Sequence, residues 1–373
     1  MKKLRKALTI SLLSGILMVT GTGMAYADEI DQADVMNTIQ SEDFKQVLFT
    51  YVQDGETHDC TEEDLRSAYI CPAFQVADID AAGQVDYKNE IWYSPVMKDG
   101  KIISLITFVG GDTISCTFSQ GYTEILNFLN EMSADGGIQL FSMSGHLYGA
   151  ANGTVYDLNS GEKAEIICPE IEKIYIQTDN EVALEEDSYI MPSYSIGTLL
   201  GSRIVEDISS GKQLKDYPVF AQGSTSLCWA GTIASMVKYE FPNQYSNITI
   251  GDVCKAVNHY EGANWDKIKE AMNYYFKAPY VPTYIETPLT RDDVKVVIQN
   301  NDPGLMSSLN PSKSSAHITA LIGYKDTPSG MSVKIMNPGT GALEWGYYST
   351  SAFSYAYNNE TYTWDKTIRL MYR

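Results

Sequence analysis

"AQGSTSLCWAGTIASMVKYE", residues 221–240, is the stretch on which the fold of this chain turns. Small and polar residues run from Gln222 to Ser226, and Leu227, Cys228 and Trp229 follow. Beyond it Trp229, Ile233, Met236 and Val237 recur with helical spacing, which predicts a helix over 227–240 with that face turned inward. Ala230, Gly231 and Ala234 are small enough to let a neighbouring element approach. Cys228 therefore stands where a loop becomes a helix. Unpaired N–H groups and the helix dipole favour a thiolate at such a place. A thiolate attacks carbonyl carbon, whereas a thiol does so poorly. Taken alone the residue is ambiguous, because the ordinary fate of a free cysteine is an inert place in the core.

A nucleophilic thiol needs a base. Two histidines lie in this part of the chain, His259 and His317. His259 sits in the polar connection "AVNHYEGANW" (256–265), whereas His317 opens the apolar run "HITALIGY" (317–324), which reads as a strand. Rigid elements hold site geometry better than loops, which favours His317. The imidazole in turn needs an orienting partner. Asn337 closes the strand "VKIMNPG" (333–339), and Pro338 biases it towards an extended backbone from which its amide oxygen can accept the ring N–H. Asp326 is the alternative orienter, in the turn-like "KDTPSG" (325–330). Attack on an amide also creates a negative oxygen that must meet preorganised donors. The side-chain amide of Gln222 and the backbone N–H of Cys228 can supply two.

"QGSTSLCWA" (222–230) resembles the active-site segment of papain-like cysteine peptidases: glutamine, five intervening residues, cysteine, tryptophan and a small residue. "AHITALIGY" (316–324) is similar to that family's histidine strand, "PGLMSSLN" (303–310) to the strand before it, and "MNPGTG" (336–341) falls where its asparagine would be. The resemblance covers about Tyr217–Arg373. Ser226-Leu227 precede the cysteine, and His317 and Asn337 follow it by 89 and 109 residues, closer than the roughly 130–150 of papain itself. This compact spacing looks more like the secreted bacterial branch, the staphopains and bacteriocin-leader-type peptidases. The resemblance implies an α+β fold in which a helical lobe meets an antiparallel β-barrel-like lobe. It also implies a Cys228–His317–Asn337 triad with Gln222 at the oxyanion, a protein or peptide substrate, and no metal or organic cofactor.

Outward from this centre, helices are predicted near 265–276 and 292–299, the last with Thr290 and Asp293 as a capping pair. Strands are predicted over 304–309, 317–324, 331–336, 343–348 and 367–372. Towards the N-terminus the composition changes. Residues 28–215 hold 33 acidic and 10 basic residues, net −23, against 14 and 13, net −1, in 216–373. The difference suggests two units, an acidic α+β half with an antiparallel sheet and a nearly neutral peptidase half, joined by the polar stretch 205–217. In the acidic half, 31–52 has helical periodicity through Val35, Ile39, Phe44, Val47 and Leu48, and 90–97, 102–109 and 113–118 read as strands. Its His58 and His146 have no companion motif and are expected on the surface or in loops.

Lys2, Lys3, Arg5 and Lys6, an apolar run over about 8–19 and Ala25-Tyr26-Ala27 together predict a signal peptide cut after Ala27. An exported protein without a stable membrane anchor is therefore expected, and the absence of a basic patch argues against nucleic acid as a partner. Export permits disulfides. Cys60, Cys71, Cys116 and Cys168 allow two bridges in three pairings, and Cys228–Cys254 would make a third that disables the nucleophile. With Cys228 reactive, Cys254 should be a buried free thiol. The function expected is a secreted cysteine endopeptidase made as a latent precursor, with the acidic half as an inhibitory pro-region or an accessory domain. A non-proteolytic papain-fold binding protein and a thiol acyltransferase are the alternatives.

Overall fold

Ser41 divides the first helical stretch. In the computed structural model two helices, Gln32–Gln40 and Glu42–Gln53, meet there. The backbone N–H of Ser41 closes the first on Thr38, and its Oγ accepts the Phe44 N–H at 3.2 Å to open the second. The predicted face, Val35, Ile39, Phe44, Val47 and Leu48, is buried throughout. The structure describes residues 29–176 (without 89, 112 and 135), 192–201 and 211–372 (without 350–352). The signal segment, its cut after Ala27 and residues 205–210 of the predicted linker lie outside the described residues.

The acidic half continues with the hairpin Ile91–Lys98 and Lys101–Val109, the strand Ser115–Ser119 and the helix Thr123–Met132. Asp99 and Gly100 turn the hairpin with φ of 49° and 76°, a left-handed pair that explains the glycine. A separate six-stranded sheet is built around Gly137–Met143, His146–Ala151 and Thr154–Asp157. In the C-terminal half the helices Cys228–Glu240, Trp265–Tyr275 and Arg291–Gln299 stand near their predicted places. A short helix, Ile250–Ala256, was not predicted, although Thr249 and Asp252 form a capping box at its start. Two further strands, Tyr280–Ile285 and Ser354–Tyr357, also join those predicted.

The halves do not stand apart as two units. Ser115–Ser119 pairs antiparallel with Ala342–Tyr348 through Phe118 opposite Trp345 and Thr117 opposite Gly346. One 13-stranded sheet therefore takes strands from both halves, so the strands of the C-terminal half are not a self-contained barrel-like lobe. Trp345 and Tyr347 belong to the same buried cluster as Phe44, Tyr51, Phe108 and Phe118 of the acidic half. Behind them Lys334, with 0% of its side chain exposed, reaches Asp54 at 2.7 Å and Glu56 at 3.4 Å across the join. Gln213 Oε1 accepts a further Lys334 hydrogen bond at 2.9 Å, and Trp345 Nε1 donates to Asp54 at 2.7 Å. Burial pushes the Asp54 carboxyl up, but the Lys334 charge and the hydrogen bonds from Lys334, Thr57 and Trp345 outweigh it and hold the carboxyl at about 2.

Two expectations are corrected. The end of the predicted linker is ordered structure: Gly211–Gln213 is a strand paired antiparallel with Gly323–Lys325, and Leu214 and Tyr217 are buried in the C-terminal core. Backbone pairing on a sheet edge is indifferent to polar side chains, which is why "SSGKQLKD" looked exposed. All six cysteines are free, Cys254 being buried as expected, so neither the bridges allowed in the acidic half nor Cys228–Cys254 form. His58 lies in a loop, one of the two places expected for it, and is buried there, its Nδ1 2.8 Å from Cys60 O and its Nε2 3.0 Å from Tyr51 O.

The helix Cys228–Glu240 ends on a carboxyl with an unusual environment. Glu240 Oε1 is buried without a hydrogen-bond partner among the described residues. Burial, reinforced by Asp302, pushes Glu240 from 4.5 up to about 8. The folded state thus holds a proton that the unfolded state releases near its ordinary value. The contribution to stability is fully present below the unfolded value and is lost as the pH rises through about 8. Glu240→Gln is expected to melt with wild-type protein at low pH and above it in alkaline buffer. Melting curves from about pH 5 to pH 9 check this, and a gap that does not grow with pH contradicts it.

Candidate active site

Cys228 is the first residue of its helix, behind Leu227, which provides no side-chain cap. The helix is laid against the histidine strand, Ala316–Asp326, where Thr232 Oγ1 donates to Ile318 O at 3.0 Å. Trp229 fastens the first turn through its Nε1 to Glu261 O at 2.9 Å. This packing sets the Cys228 sulfur beside the backbone N–H of Ile318, the residue after His317. Cys228 and His317 line the same cleft of about 640 Å³.

His317 is 2% exposed. Its Nε2 donates to Asn337 Oδ1 at 2.8 Å. The orientation of the asparagine amide follows from its other contacts: Oδ1 also accepts the Gly339 N–H at 3.0 Å, and Nδ2 points to both oxygens of Glu344 at 3.2 and 3.3 Å. Because Oδ1 can only accept, Nε2 carries the ring hydrogen and Nδ1 is the basic nitrogen of the neutral imidazole. Tyr357 stacks on the ring at 4.2 Å between centroids and 19° between planes, and Tyr362 and Tyr355 close the other approaches at 5.7 and 6.1 Å. Gly339 is required here, since a Cβ would lie 2.3 Å from the Tyr357 ring.

Burial sets the charge state. It pushes the Cys228 thiol up to about 11 against the backbone N–H groups of Ile318, Trp229 and Cys228 itself. It pushes His317 down to about 4 against the hydrogen bond to Asn337. Desolvation thus opposes the thiolate that the helix start favours, and it opposes charge on the imidazole as well.

Gln222 is buried, and its backbone N–H donates to Pro338 O at 2.8 Å, tying the loop to the asparagine turn. Its Nε2 donates to Thr225 O at 2.5 Å and to the Tyr357 hydroxyl at 3.1 Å. Both amide hydrogens thus have partners within the site. The alternatives stand elsewhere. His259 is bound through Nε2 to Gly262 O at 2.9 Å, and Asp326, at the far end of the histidine strand, pairs with Lys295 at 2.9 Å.

The sequence reading missed several residues here. Tyr355 and Tyr357 alternate on a strand that turns at Asn358-Asn359, both left-handed at φ 53° and 58°, so the doubled asparagine was a usable hairpin signal. Glu344, 3% exposed within an apolar strand, was a second signal. The acidic half also reaches the cleft through Gly145, His146 and Asn159. Asn358 fastens that rim, donating to Gly145 O at 2.6 Å and accepting from Asn159 Nδ2 at 2.8 Å. His146, expected on the surface or in a loop, opens the strand His146–Ala151, lines the cleft and lies 3.3 Å from Asp157. Among the described residues no cluster of three or more metal-ligating side chains occurs, and no helix is long and apolar enough to cross a membrane.

Residues 212–355 match the model of the family described as papain-like cysteine protease AvrRpt2. The matched stretch contains Gln222, Cys228, His317 and Asn337 and leaves residues 28–211 of the acidic half outside it. This part of the chain is a papain-like cysteine protease domain, a hydrolase. No curated protein matches the chain.

Proposed function

From a papain-like cysteine protease domain as premise, we propose that the chain is an exported endopeptidase that cuts peptide bonds with Cys228 as nucleophile, His317 as acid and base, and Asn337 as orienter. The observation that carries this is the hydrogen bond from His317 Nε2 to Asn337 Oδ1, inside the cleft that also holds Cys228. Export rests on the charged and apolar N-terminal segment. A staphopain-like branch remains the reading suggested by the compact spacing.

Burial favours the neutral forms of both groups, and the steps start from them. His317 Nδ1 takes the thiol proton as sulfur bonds to the scissile carbonyl carbon, and the carbonyl oxygen becomes the oxyanion. The Cys228 N–H and a Gln222 amide hydrogen are its donors, the latter drawn from the longer contact to Tyr357. Collapse breaks the C–N bond, and the imidazolium gives its proton to the leaving amine. Water then attacks the acyl carbon, losing a proton to His317. The C–S bond breaks and the proton returns to sulfur.

For the acidic half, the shared sheet and the buried Lys334–Asp54 pair support an accessory domain that stays with the peptidase, over an inhibitory pro-region that is shed. A denatured protein incubated with the full chain, with and without a primary amine, tests the reaction. Fragments with free carboxyl ends are the expected products. Amine adducts without hydrolysis would indicate acyl transfer, and intact protein would indicate a binding function.

A further inference from the structure

Glu344 is a buried carboxyl group without a cation, and burial pushes its pKa up against the hydrogen bonds from Thr340, Asn337 and Ser119. It lies on the strand Ala342–Tyr348, is 3% exposed, and no lysine or arginine pairs with it among the described residues. Such a group is costly unless its oxygens are met by donors. Asn337 Nδ2 reaches both oxygens, Thr340 Oγ1 donates to Oε1 at 2.6 Å, and Ser119 Oγ of the acidic half donates to the same oxygen at 3.1 Å. The approach of the acidic half is close: at Gly121 a Cβ would stand 2.4 Å from that of Thr340.

We propose that Glu344 is a positioning residue for the reaction, its carboxylate locking the Asn337 amide so that Oδ1 faces His317, with Ser119 of the acidic half steadying the carboxylate. The inference rests on the peptidase reading above. In its ionised form Glu344 only accepts, so a flipped Asn337 would bring oxygen against oxygen at Glu344 and N–H against N–H at His317. The lock thereby leaves Nδ1 of His317 unprotonated and ready for the thiol. A glutamine fills the same volume, but its amide can donate as well as accept and tolerates either orientation. Glu344 touches neither sulfur nor imidazole in the hydrogen-bond network, so its influence passes through Asn337.

The test is a double-mutant cycle in the full-length protein, with Cys228→Ala alongside. Glu344→Gln is expected to lower kcat about tenfold with KM within about twofold of wild type, because orientation of the base matters to the transition state and not to ground-state binding. In the Asn337→Ala background the same substitution is expected to change kcat by less than about twofold. Should Glu344→Gln fold poorly, Ser119→Ala reads the same way from the other side, with kcat lowered about two- to threefold and KM unchanged. A wild-type kcat in Glu344→Gln, or an equal loss with Asn337 already removed, overturns the proposal while an inactive Cys228→Ala leaves the peptidase reading standing. Cleavage that survives Cys228→Ala overturns both.

Discussion

Cys228→Ala is expected to leave a folded protein whose cleavage of a denatured substrate has fallen by on the order of 10⁴ or more. The size follows from the role. Without sulfur no acyl-enzyme forms, and the cleft retains only its binding and its oxyanion donors. Folding should survive, because the side chain removed is small and the helix is held by Trp229, Ile233 and Met236, all buried. Cys254, buried in the helix Ile250–Ala256 and outside the cleft, is the control: Cys254→Ala should keep kcat within about twofold. Cleavage rates and circular dichroism on the two variants check the prediction, and a Cys228→Ala protein that still cuts contradicts it.

The second large effect is on stability. Asp54→Ala leaves Lys334 buried beside Glu56 and Gln213 with its nearest countercharge gone. Removing one member of a buried pair costs about 3–5 kcal/mol, because the remaining charge has lost its water without compensation. If both halves unfold as one unit, this corresponds to a fall in Tm of roughly 4–7 °C. Replacing the pair together, Asp54→Leu with Lys334→Met, should restore part of the loss, since no unpaired buried charge is left although Trp345 Nε1 loses its acceptor. Thermal melts of the single and double variants decide it, and an unchanged Tm in Asp54→Ala contradicts the buried join. The same join predicts that a protease cut introduced at 205–210 leaves the halves associated, with no rise in activity. Dissociation with activation would restore the pro-region reading.

Much of the candidate site was legible because its residues are tied to local punctuation. A helix start marks Cys228, a strand opening marks His317, and the Asn-Pro-Gly turn marks Asn337. What lay beyond reach depends on partners distant in sequence. Ser119 meets Glu344 across 225 residues, and Lys334 meets Asp54 across the join, contacts that no periodicity announces. The change in net charge suggested two separate units, but charge follows solvent-facing positions, whereas Phe118 opposite Trp345 is decided by apolar strand faces. The burial that opposes a thiolate was hidden for a related reason. A helix terminus is visible in the sequence, but that burial depends on the rings of Tyr355, Tyr357 and Tyr362 closing around His317.

The central claim is that the sulfur of Cys228 works with the imidazole of His317. Its most direct test is the rate at which a small alkylating reagent modifies each cysteine at neutral pH, mapped by mass spectrometry in wild type and in His317→Ala. The account predicts that Cys228, which lines the cleft, is modified faster than the buried Cys254 in wild type. It also predicts that the rate at Cys228 falls at least about tenfold in His317→Ala while Cys254 is unaffected. Equal rates at Cys228 in the two proteins would contradict it.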